Sequence, residues 1–134
     1  MTIETEPRPV TRDEPDLEGL GEQLLCTASP HDLAATRALV EERSILARKN
    51  VRSALIVDSP GGASCRWENL SGMQYTLGLD EQQRQFLGLV LSMVGIGHIT
   101  IAAVQNLEER HLRIIVRAIL QLTGNDTMAV GTRV

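Results

Sequence analysis

The chain has 134 residues and a mass of 14.7 kDa, enough for one domain whose core needs no disulfide or metal. Apolar residues make up 43% and charged residues 22%, which excludes bulk disorder and fibrous repetition, while an aromatic share of 2% (Trp67, Tyr75 and Phe86) excludes base-stacking or sugar-binding faces built on rings. The net charge of −4 is uneven: residues 1–22 carry −5 and the remainder +1, so the body lacks the basic excess of a dedicated nucleic-acid binder.

Residues 1–15 hold Pro7, Pro9 and Pro15 among acids and threonines with no apolar period. They read as a flexible arm preceding a single globular domain over 16–134. The polar, acidic opening does not resemble a secretory leader, so a cytoplasmic protein is expected. Leu17, Leu20, Leu24 and Leu25 predict a short helix over about 16–25. Ser29 as a cap, Pro30 in the first turn and Asp32 start a second helix over about 30–48, with Leu33, Leu39, Val40 and Leu46 on its stripe. Arg37 and Glu41 are expected to pair across one turn of a solvated face.

The run Ser53–Asp58, the turn Ser59-Pro60-Gly61-Gly62 and the return Ala63–Asn69 predict a hairpin at about 53–69, with a third short strand near 73–77. A strand followed by Ser-Pro-Gly-Gly, with Ser92-Met93 about thirty residues on, resembles the oxyanion loop and nucleophile of the Clp-type serine proteases. That resemblance implies a hydrolase. It departs from the family where Val90 and Leu91 replace the small-residue nucleophile turn and no histidine follows in a matching context. Cys26 and Cys65 have no CxxC partner, and His31, His98 and His111 are scattered, so neither a metal nor a cofactor is expected.

Three readings compete for Phe86–Val104, a nineteen-residue stretch with no formal charge when His98 is neutral. A membrane span nearly has the length but meets His98 and the Gly95-Ile96-Gly97 break. The register Gly95, Thr100, Ile101, Leu107, Glu108, Glu109, Arg110 and Leu112 resembles the winged-helix transcriptional regulators. In that case His98, Thr100, Gln105, Asn106, Arg110 and Arg113 become the DNA-contacting candidates.

The third reading has caps and stops that agree with the periodicity, and we take it. Asp80 and Gln83 open a helix over about 80–94, Ile99–Val104 forms a buried strand, and Asn106 caps a helix over about 107–123. Leu112, Ile115, Ile119 and Leu122 are its buried face, Gly124 ends it, and Met128–Val134 closes a strand–helix–strand unit. The expected fold is α/β or α+β with a short mixed sheet. The expected function is a non-enzymatic protein–protein interaction or assembly module, acting on a protein partner or by self-association. A winged-helix DNA-binding regulator is the alternative.

Overall fold

The computed structural model describes residues 16–97, 99 and 101–124. The fold is helix-rich with one short antiparallel sheet: α1 (Leu17–Thr27), α2 (Leu33–Glu42), α3 (Lys49–Leu55), β1 (Ile56–Ser59), β2 (Gly62–Cys65), α4 (Glu81–Met93) and α5 (Glu109–Leu122). Two 3-10 segments, Trp67–Leu70 and Ile101–Asn106, complete the described elements. The expected arm over 1–15 and the closing strand over 128–134 lie outside the described residues.

Local chemistry sets each boundary. Asp16 caps α1 by accepting the Gly19 amide at 3.0 Å. Gly21 lets α1 lie against α2, because a Cβ there would stand 2.7 Å from Val40 Cγ1. Asp80 and Gln83 form the reciprocal capping box expected from their spacing, at 2.8 and 3.0 Å. Gly124, at φ 80°, follows α5 as the left-handed residue expected there.

The hairpin is real but shorter than 53–69. Ser59 pairs with Gly62 around Pro60-Gly61, whereas Ser53–Leu55 belong to α3 and Trp67–Leu70 to a 3-10 turn. Strand β2 docks on α1, where the Thr27 hydroxyl donates to the Ala63 carbonyl at 2.8 Å and Gln23 accepts the Ala63 amide at 3.0 Å. The core beneath gathers Leu24, Leu39, Ile45, Leu55, Trp67, Leu70, Phe86, Leu87, Val90 and Ile115 from every helix.

Four expectations are corrected. The strand at 99–104 is a 3-10 turn over Ile101–Asn106: β-branched composition makes a strand only with a pairing partner, and the described sheet contains only β1 and β2. The third strand at 73–77 is instead a run of turns, Met73 amide to Leu70 carbonyl and Thr76 amide to Met73 carbonyl. The cap of α5 is Glu108, not Asn106, which ends the 3-10 turn. The second helix stops at Glu42 rather than 48, since Arg43 takes a left-handed φ of 72°.

The nineteen-residue apolar stretch is divided between α4 and the 3-10 turn. Among the described residues, no helix is long and apolar enough to cross a membrane.

Candidate functional site

Two features of α5 stand out, one facing inward and one outward. Inward lies a buried polar seam. Glu42, the last residue of α2, is 1% exposed, and His111 in the first turn of α5 is 7% exposed. His111 Nε2 meets Glu42 Oε2 at 2.9 Å. The same carboxylate accepts the Ile45 amide at 2.9 Å and the Ser44 hydroxyl, while the Arg110 guanidinium stands 3.9 Å away. A charge this deep is tolerated only when its lone pairs are so occupied.

Helix α4 supplies the rest of the seam. Gln83 holds the capping box with its side-chain carbonyl and donates its amide to the Ser44 hydroxyl at 3.0 Å. Gln82 accepts the Glu108 amide at 2.8 Å and donates to the Asn106 carbonyl, which fixes its orientation. Its oxygen therefore faces His111 Nδ1, at 3.2 Å. Both ring nitrogens thus lie within hydrogen-bond distance of a side-chain oxygen. The Phe86 ring covers the imidazole at a centroid distance of 5.0 Å. Arg110 closes the seam from outside, donating to the Glu42 and Glu41 carbonyls at 2.7 and 3.1 Å, where the carbonyl end of α2 favours a cation.

A serine, a carboxylate and a histidine in contact prompt a test for nucleophilic catalysis. The order is wrong for it. The Ser44 hydroxyl points at the carboxylate rather than a ring nitrogen, and both nitrogens are already occupied. In the Clp-like register the glycine loop is an exposed hairpin turn, and the Ser92 hydroxyl is buried in α4 with no hydrogen-bond partner among the described residues. Among the described residues, no group of three His, Cys, Asp or Glu could hold a metal. Cys26 is exposed, whereas burial, with Asp32 adding to it, pushes the Cys65 thiol up from 9.0 to about 12.

Outward, α5 keeps apolar surface that its neighbours leave open. Leu112, Ile119 and Leu122 are 37, 40 and 43% exposed, and Val116 between them is half-buried. The expected buried face of Leu112, Ile115, Ile119 and Leu122 is thus right only at Ile115. The residues packed inward are His111, Ile114, Ile115 and Ala118. Two apolar stripes were merged into one, because a helix whose apolar arc exceeds one neighbour's width has no unique inward direction.

The DNA-contact candidates are dispersed in role. Arg110 and Arg113 line one cleft of about 430 Å³ with Glu41, Glu109, Ile114 and Arg117. Arg113 is held by Glu109 at 2.6 Å, and Arg117 by Glu41 at 3.5 Å. Arg117, not Arg37, is therefore the arginine beside Glu41. Gln105 and Asn106 are exposed on the 3-10 turn, and His98 and Thr100 lie outside the described residues. The seam residues Glu42, Ser44, Gln82 and His111 were not foreseen, although Glu42 falls on the apolar stripe of α2, where a carboxylate needs an explanation. No protein-family model matches this chain, and neither a curated protein nor a solved structure matches it.

Proposed function

We propose that this chain is a non-enzymatic interaction or assembly module of the cytoplasm, working through the outward face of α5. The observation that carries the reading is the exposed stripe of Leu112, Ile119 and Leu122. Leu112, Val116 and Ile119 recur at spacings of four and three, the repeat that lets one helix seat against another. The partner is an amphipathic helix, and a second copy of α5 supplies one.

The test is light scattering across a concentration series, with the intact chain beside a Leu112→Gln/Ile119→Gln variant. Mass that rises with concentration in the intact chain and stays monomeric in the variant supports the reading. A chain monomeric into the hundreds of micromolar overturns self-assembly. Salt-sensitive binding to random duplex DNA, lost in Arg110→Ala/Arg113→Ala, would put the regulator reading in its place.

A further inference from the structure

Helix α2 ends in an unusual way. Arg43 has φ 72° and ψ −45°, and the Ser44 amide bonds back to the Glu42 carbonyl at 2.8 Å. This is the tight three-residue turn that L-residues adopt only under strain. Beyond it the chain makes two turns, with the Ala47 amide on the Arg43 carbonyl at 2.9 Å and the Arg48 amide on the Ile45 carbonyl at 3.1 Å, before α3 starts at Lys49. The sequence across the break agrees with one continuous helix over 33–48. At helical spacing, Ala35, Ala38, Leu39, Glu42, Ile45 and Leu46 share a face, and all six are buried. The only polar member of that face is Glu42.

A strained residue between a helix and the turns that follow it must be held by something. Glu42 turns its carboxylate back to take the Ile45 amide and the Ser44 hydroxyl, bonds that bridge the break. The other contacts of the same carboxylate come from α5, through His111 and Arg110. From α4, Gln83 fixes the Ser44 hydroxyl.

We propose that the Glu42–His111 pair is a latch that holds α2 broken at Arg43, so that the seating of α5 and the break in α2 are one equilibrium. While α5 is seated, the carboxylate is satisfied across the break and the strain at Arg43 is sustained. When the latch is open, the face from Ala35 to Leu46 is continuous and Arg43 returns to the right-handed region. A partner that binds α5 more tightly in one of these two states is then felt at residues 43–48, without touching them.

The experiment compares the full chain with Glu42→Leu and Arg43→Gly. Glu42→Leu removes the latch and leaves an apolar face on α2. The expected result is a gain in helical circular dichroism, a helical Cα chemical shift at Arg43, and amide exchange at Ser44, Ile45 and Leu46 slowed at least tenfold. Arg43 remaining left-handed in that variant, or faster exchange over 44–46, overturns the proposal. Arg43→Gly keeps the latch and removes the cost of the left-handed residue, so its thermal midpoint should rise with the break in place. A lowered midpoint would show that Arg43 is not strained, and would overturn the proposal even if Glu42→Leu failed to fold.

Discussion

Glu42 and His111 at the seam between α2 and α5 are buried, as is the apolar core under α4, yet opposite means hold the two regions. Beneath α4, Phe86, Leu87, Val90 and Leu91 pack against carbon. That packing is non-directional and stabilises roughly in proportion to the area removed from water. At the seam the contacts are directional, and Glu42, His111, Gln82, Gln83 and Ser44 form a chain of directed bonds. A buried ion pair adds little net stability over an apolar replacement of the same volume, but losing one half of it is expensive. The apolar core therefore supplies most of the stability, and the seam fixes how α2, α4 and α5 meet.

The comparison can be broken first at its apolar margin, by a chemical effect. Cys65 packs against the core, and its thiol is raised from 9.0 to about 12, so its thiolate fraction below pH 9 falls about a thousandfold. Alkylation at pH 8 should label exposed Cys26 in the native protein and reach Cys65 only after unfolding. The linked stability has a definite sign. The folded state binds the thiol proton more tightly, so this contribution is complete below pH 9 and is lost as pH rises toward 12. Equal labelling rates at the two cysteines would place Cys65 in water.

Next comes the seam. His111→Leu leaves the Glu42 carboxylate buried without its hydrogen-bonding partner from α5 and should cost about 3–5 kcal/mol by urea denaturation. The double variant Glu42→Leu/His111→Leu should recover most of that loss, because an apolar pair replaces both polar groups. Under α4 no such rescue exists. Leu87→Ala should cost about 2–5 kcal/mol through lost burial and a residual cavity. A double variant at the seam no more stable than His111→Leu would mean that the two regions are held by the same means.

What the sequence made legible follows the same division. The capping box of α4, the Pro60-Gly61 turn and Gly124 after α5 are local chemistry, complete within a few residues, and the structure agrees with them. Where the outcome depends on a distant partner, sequence reasoning failed. Ile99–Val104 has strand composition but pairs with no strand among the described residues. Arg43 breaks a helix because Glu42 finds His111 sixty-nine residues away. The conspicuous clue was a carboxylate on an apolar stripe. It marked a buried site without saying what would meet it, because the partner lies on a helix that periodicity alone cannot orient.

The smallest expected effect on stability tests the outward face. Ile115 is fully buried, and Ile115→Ala should destabilise by about 2–5 kcal/mol. Ile119 lies one turn further on and is 40% exposed. Truncating a side chain that opens to water leaves no enclosed cavity, so Ile119→Ala should cost well under the Ile115→Ala loss, about 1 kcal/mol or less in dilute solution. The contrast sharpens with concentration. If the outward stripe takes a second helix, Ile119 is buried in the assembly, and the same truncation should lower the apparent stability of concentrated protein more than that of dilute protein, because association stabilises by mass action. An Ile119→Ala cost that is large at every concentration would place Ile119 in the core of the monomer and remove the basis for an outward docking face.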